Sequence, residues 1–462
     1  MIRWTAIALF LFGATTVIAQ TDDSLLLARL SDEVLVNGKA YENLRVLCKT
    51  VGGRLAGSPQ IYKAETWGIE ALKAAGADKV YLQECQVPHW VRGGKDKAWI
   101  HYTSSTNKPI WLKMGLDVLA LGNSLGTGPK GVEAPVILIH DFDELERRKD
   151  EIKGKIVFFN HPFNQKYVQP FLAYGEAGTY RHDGPSRAAK YGAVAVVIRS
   201  LSGSTDNYPH TGAMKYDSAY PKIPCAAMGL RDADRLADLL KAGKKINLFY
   251  QSNAHFLPDT IGHNIIGEFT GSESPAEYIT VGGHIDSWDP AEGAHDDGTG
   301  CVHAIEILRA LKAIGYHPRH TLRVVLFVNE ENGLRGGSKY AEEAAAKNEK
   351  HLFALESDAG GFTPRGFSLS LRGPQLEKMR SWIPLLLPYG VYAFTEGGGG
   401  ADVSPLNARM GVPVGELIPD GQRYFDIHHT RNDVFENVNK RELEMGAITM
   451  AGLIYLVDKY GL

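Results

Sequence analysis

Short apolar runs, each ending in carboxylates or imidazoles, recur through the second half of this 462-residue chain. Val281-Gly282-Gly283 leads into His284-Ile285-Asp286, and Leu322–Val328 leads into Asn329-Glu330-Glu331. His351–Leu355 leads into Glu356-Ser357-Asp358. Runs this short, without polar alternation, suit strands buried on both faces. Helical patterns over Cys301–Ile314, Gly337–Ala346 and Leu376–Leu387 separate them. The alternation predicts an α/β fold with a mainly parallel central sheet, covered by helices on both faces. In open α/β sheets ligands gather at the carboxyl ends of strands, where these clusters fall.

Upstream, apolar positions recur at helical spacing from Ser24 to Gly52 and from Gln60 to Ala75, followed by a strand at Val80-Tyr81-Leu82. The texture changes near Gly115. Val136–Ile139, Lys155–Phe159 and Ala193–Ile198 are β-branched buried runs separated by charged helical stretches, and the block closes near Leu248-Phe249-Tyr250. It reads as a domain inserted over 115–251, which divides the main domain into 20–114 and 252–462. At the start, Arg3 and the apolar stretch Trp4–Ala14 precede small residues ending at Ala19. That layout predicts a secretory signal over 1–19 and an exported protein, secreted or periplasmic. No later run reaches 18 apolar residues, so no membrane span is expected. A net charge of −3 gives no electrostatic case for nucleic acid as a partner. Export permits disulfides among Cys48, Cys85, Cys225 and Cys301, in any of three full pairings. Cys301, inside an apolar helical pattern, reads as a buried free thiol.

The clusters carry a specific chemistry. Carboxylates collected in one cleft repel one another strongly and need a cation. In His284-x-Asp286 the imidazole can ligate zinc while the carboxylate holds its other ring nitrogen. Asp296-Asp297-Gly298-Thr299-Gly300 offers a carboxylate able to bridge two metals, or an ordinary helix cap. Glu330-Glu331 closes a strand, where adjacent side chains alternate, so one can bind metal while the other takes a proton from an activated water. Asp358 also follows a strand. His428-His429 offers two imidazoles that, in an extended segment, face opposite ways, so that only one reaches a given metal. His303, His317 and His320 read as structural or surface residues, and His295 as a neighbour of the site.

With Gly283-His284-Ile285-Asp286-Ser287-Trp288-Asp289, Glu356-Ser357-Asp358-Ala359-Gly360, and Pro209-His210-Thr211-Gly212 with Pro221-Lys222-Ile223-Pro224, the chain resembles metallopeptidase family 28, the di-zinc exopeptidases. The likeness runs through almost the whole chain after residue 19. It implies two zinc ions per chain, one held by His284 and Asp358, the other by Glu331 and His429, with Asp296 bridging. His429 is preferred because the family pattern places an aspartate, here Asp433, a short step beyond the ligand. Glu330 becomes the general base and Asp286 the carboxylate behind His284. The resemblance also implies a cis peptide at Asp296-Asp297, a protease-associated fold for the insert, and a substrate-side aspartate at Asp402 after the Gly397–Gly400 loop. Neighbours of Asp402 depart from the family's common Ser-Asp-His. The implied activity is hydrolysis of dipeptides or short peptides with a free amino end. A broader aminopeptidase, a glutaminyl cyclase-like acyl transferase and a non-catalytic receptor on the same fold are the alternatives. The receptor predicts damaged ligands, whereas all five are present. Short peptides are the implied partners, and a homodimer stays open.

Overall fold

The computed structural model describes residues 22–103 and 111–462. The signal over 1–19 lies outside the described residues. In chain order the strands begin with β1 (Lys79–Val91), β2 (Lys97–Thr103), β3 (Trp111–Leu116) and β4 (Val118–Ala120). Next come β5 (Val132–Ile139), β6 (Ile156–Phe159), β7 (Ala195–Arg199), β8 (Cys225–Met228) and β9 (Ile246–Gln251). Then follow β10 (His255–Phe269), β11 (Ser274–His284), β12 (His320–Phe327) and β13 (Lys350–Glu356). The last are β14 (Pro364–Leu369), β15 (Ala393–Glu396) and β16 (Val414–Pro419).

They form two eight-stranded sheets. The first has the order β1-β10-β12-β11-β13-β16-β14-β15. Its centre, β12-β11-β13-β16, is parallel throughout. The flanks turn antiparallel at β10 on one side and β14 on the other. β12 shows why its run is apolar without alternation. Leu322, Val324 and Leu326 pack with the helices Thr299–Ala313 and Lys440–Tyr460. Val325 and Phe327 point the other way, against Tyr340, Ala341 and Ala344 of the helix Arg335–Ala346. With both faces covered, every position from Thr321 to Phe327 is buried. The helix Lys440–Tyr460 starts at Asn439, whose side chain accepts from the Arg441 and Glu442 amides.

The second sheet has the order β3-β2-β9-β5-β6-β7-β8-β4, with β5 to β8 parallel. It contains the block expected over 115–251, but it begins earlier. β2 pairs with β3 and β9, so the unit starts at Lys97 rather than Gly115. Half-buried Trp99, His101 and Tyr102 on β2 give no apolar run, so this boundary had no signal in the sequence. The expected helix Leu376–Leu387 is broken into Gly373–Arg380 and Ile383–Leu386, with Pro384 in the first turn of the second piece. β1 runs for 13 residues, far beyond the expected three, because it pairs along most of β10. Cys48, Cys85, Cys225 and Cys301 are all free and buried, so none of the three pairings forms. No helix among the described residues is long and apolar enough to cross a membrane.

Candidate metal centre

The parallel strands of the first sheet deliver their clusters to one place. β11 ends at His284, β12 runs out into Glu330 and Glu331, and β13 into Asp358. His284 Nε2 lies 3.2 Å from Asp296 Oδ1 and 3.3 Å from Asp358 Oδ1. His429 Nε2 lies 3.0 Å from Asp296 Oδ2 and 3.2 Å from Glu331 Oε2. Two groups of nitrogen and oxygen donors therefore share Asp296, each through a different oxygen. His284 Nε2 and Asp296 Oδ2 are buried and make no hydrogen bond. A buried polar atom without a partner is costly, and here each such atom lies among donors of metal-ligand type. The residues present fit a divalent cation of the zinc class at both points.

The electrostatics agree. Burial opposes a charge on His284, but Asp358 and Asp296 outweigh it and raise its pKa well above the ordinary value. His429 is raised in the same way, by Glu331 and Asp296 against its burial. Burial and the neighbouring Asp296 push Glu331 up to about 7. Burial and Asp358 likewise raise Glu330 well above its usual range. So much negative charge in a buried place calls for cations.

Around these groups the chain builds a frame. The Asp296–Asp297 peptide bond is cis, as the resemblance implied. Asp433 takes the amides of His295 and Asp296, at 2.7 and 3.1 Å, which sets the direction of Asp296. Asp297 accepts from the amides of His284 and Gly300, at 3.0 and 2.8 Å. The two readings of Asp296-Asp297 are thus divided between the residues: Asp296 faces the site and Asp297 secures the start of the helix. Arg54, fully buried, donates to the carbonyls of Ile285, Glu292 and Gly293. Nothing local in Gly52-Gly53-Arg54 announces that brace.

Three expectations change. Asp286 stands behind His284, but its backbone carbonyl is what meets Nδ1, at 3.0 Å, while its carboxylate is 3.7 Å away. The carboxylate instead takes the amides of Glu330 and Glu331, at 3.0 and 3.4 Å, locking the end of β12 to that of β11. His428 and His429 do not face opposite ways. His429 has a φ of 61°, so the segment is not extended, and the two rings stack with centroids 3.5 Å apart. His428 Nε2 comes within 3.4 Å of Asp296 Oδ2, while only His429 also meets Glu331. Asp402 does not line the cleft. It is fully buried, and its amide and that of Val403 donate to Glu356 at 3.0 and 2.9 Å, which draws the segment beneath the sheet end. His295 stays a neighbour of the site. It stacks on Phe362 and bonds Asn437 and Gly361, a structural role.

The second unit completes the cleft. Thr211 donates its amide to the His429 carbonyl at 3.0 Å, and its own carbonyl lies 3.2 Å from His429 Nδ1. A carbonyl acceptor there leaves Nε2 free to ligate. His210 Nδ1 holds the His428 carbonyl at 2.8 Å. The Pro209-His210-Thr211-Gly212 motif therefore orients the histidine pair. Trp288 packs onto Gly122, where a Cβ would lie 1.8 Å from the ring. The resulting cleft, of about 630 Å3, is lined by Glu330, Glu331, Asp296, Asp358 and both histidines, and from the second unit by Arg181, His182 and Lys215.

Residues 264–454 match the model of peptidase family M28. Carboxypeptidase Q of Mus musculus is 35% identical over 419 residues, covering 91% of this chain and 85% of that protein. The chain belongs to peptidase family M28. That membership makes it a hydrolytic metallopeptidase. A peptidase M28 precursor from Shewanella amazonensis has a similar structure, with a TM-score of 0.88 at 32% identity, over 95% of this chain and 97% of that one. A zinc aminopeptidase from Bacillus subtilis shares the fold, with a TM-score of 0.63 at 19% identity, over 90% and 94% of the two chains.

Proposed function

We propose that this M28 protein is a zinc-dependent exopeptidase that hydrolyses dipeptides or short peptides with a free amino end. The observation that carries the reading is Asp296, which turns one oxygen to His284, itself beside Asp358, and the other to His429, itself beside Glu331. Two zinc ions per chain suit that donor set, and His284, Asp358, Asp296, His429 and Glu331 would hold them. When bound, paired zinc supplies Lewis-acid activation of water and polarisation of the scissile carbonyl.

The chain's own residues do the rest. Glu330 borders the cleft, and its amide is anchored on Asp286. Its carboxylate takes a proton from the attacking water and returns it to the leaving amine nitrogen, so the residue ends the cycle as it began. Asp286 is a positioning residue for Glu330 and Glu331. The unit built on the second sheet, read here as the protease-associated insert starting at Lys97, walls off the cleft. Arg181 and Lys215 give that wall a cationic lining suited to the terminal carboxylate of a short peptide.

The test is metal analysis together with a substrate panel. Zinc content near two per chain and cleavage of free dipeptides, but not of N-acetylated ones, is the expected result. Cleavage of internal bonds in long peptides would overturn the exopeptidase reading, and one zinc per chain would overturn the paired site. Broad cleavage of amino-terminal residues from longer peptides would shift the reading to a general aminopeptidase.

A further inference from the structure

A second cavity, of about 740 Å3, adjoins the proposed reaction site. Phe171 lines both cavities, and the adjacent residues Asp358 and Ala359 line one each. Its floor is a row across three strands. Glu416 on β16 stands opposite Ser368 on β14, which stands opposite Thr395 on β15. Residues directly opposite on neighbouring strands share a face, so one carboxylate and two hydroxyl residues line this cavity together.

The other acidic residues of the cavity already have cations. Glu396 pairs with Arg372 at 2.6 Å, and Asp420 with Arg365 at 2.9 Å. The carboxylate of half-buried Glu416 has no hydrogen bond or ion pair among the described residues. A carboxylate partly withdrawn from water and without a counter-charge favours a cation that can reach it. Phe171, Pro170 and Ile418 beside it give apolar walls for an aliphatic stem. The volume is that of a pocket for a whole side chain rather than a lone ammonium group. The part of the reaction cleft contributed by the second unit instead offers the cations Arg181 and Lys215.

We propose that Glu416 receives the cationic side chain of a lysine or arginine at the first residue of the peptide substrate, the peptide lying with its carboxyl end toward Arg181 and Lys215. This rests on the peptidase reading above and names its substrate class.

The experiment compares kcat/KM for Arg-Ala, Lys-Ala, Met-Ala and Leu-Ala with the zinc-loaded protein and its Glu416→Gln and Glu416→Asp variants. Calorimetric binding of free L-arginine and L-norleucine to the same proteins supplies a readout independent of turnover. The parent should prefer the basic dipeptides. Glu416→Gln should lower kcat/KM for them about 10–100-fold, the usual worth of a charged hydrogen bond, and leave Met-Ala and Leu-Ala nearly unchanged. Glu416→Asp should retain the basic preference. Arginine binding should weaken with Glu416→Gln and norleucine binding should not. An equal fall on all four dipeptides would assign the carboxylate to the amino terminus or the scaffold, and overturn the proposal. A parent preference for Met-Ala or Leu-Ala would also overturn it. Hydrolysis without basic preference sinks this subsite and spares the peptidase reading. Glu416-dependent arginine binding with no peptide cleaved does the reverse.

Discussion

The two sheets are built alike and end differently. Each has eight strands with four parallel ones at or near the centre. In the second sheet the carboxyl ends of those strands are closed by their own surroundings. Asp141, after β5, accepts from the Glu144 amide at 2.6 Å and caps a helix. Arg199, at the end of β7, pairs with Asp234 at 2.6 Å, and Ser200 donates to the Met228 carbonyl at 2.7 Å. In the first sheet the same positions bring His284, Glu331 and Asp358 together with buried atoms left unpartnered. Strand ends thus collect polar residues in both sheets, but only convergence of groups that cannot satisfy one another makes a place for cations. The second unit contributes to the chemistry indirectly, through Thr211 and His210, which set the histidine pair.

The sharpest break of this contrast is at the histidines. His429→Ala should lose zinc and take activity to background, whereas His428→Ala should retain most of the metal, since only His429 meets Glu331. Zinc per chain, measured after dialysis, decides between them. The reverse order would make His428 the ligand.

Next in size is Glu330→Gln, which keeps the shape but cannot accept a proton. It should lower kcat about 10²–10⁴-fold with zinc content unchanged. Single-turnover rates near those of the parent would name another base.

A smaller effect lies in the first sheet away from the cleft. Burial opposes the charge of Glu349, but His351 and Arg323 outweigh it and hold its pKa at about 2, below the ordinary 4.5. A lowered folded pKa means stability that is present above the ordinary value and lost as pH falls from about 4.5 toward 2. Glu349→Gln should destabilise by roughly 1–3 kcal/mol at neutral pH. It should also flatten that part of the acid dependence in denaturant unfolding. An unchanged slope would show that other carboxylates carry it.

The smallest effect tests the second sheet. Asp141→Ala removes a helix cap and should cost about 1 kcal/mol of stability, with kcat/KM unaltered. A large loss of activity would mean that this strand end is coupled to the cleft.

The periodicity of the chain by itself determined the central sheet and its helices and marked candidate donors at the ends of their runs, because buried runs and the polar residues that follow them are local patterns, while the choice of five donors came from the family resemblance. β11, β12 and β13 formed where their runs stood, and His284, Asp296, Glu331, Asp358 and His429 met. The tertiary structure alone decided how those donors are aimed. The stacking of His428 on His429 depends on a left-handed backbone angle held by Thr211 and His210, more than 200 residues away. Asp402 is drawn under the sheet by Glu356, a bond between distant segments that no spacing announces. The same holds for Arg54, for the early start of the second sheet at Lys97, and for Glu416, whose lack of a partner is a property of its neighbours in space. Local sequence sets which residues are buried and on which face, while the direction of a buried polar group is set by whichever distant donor or acceptor satisfies it.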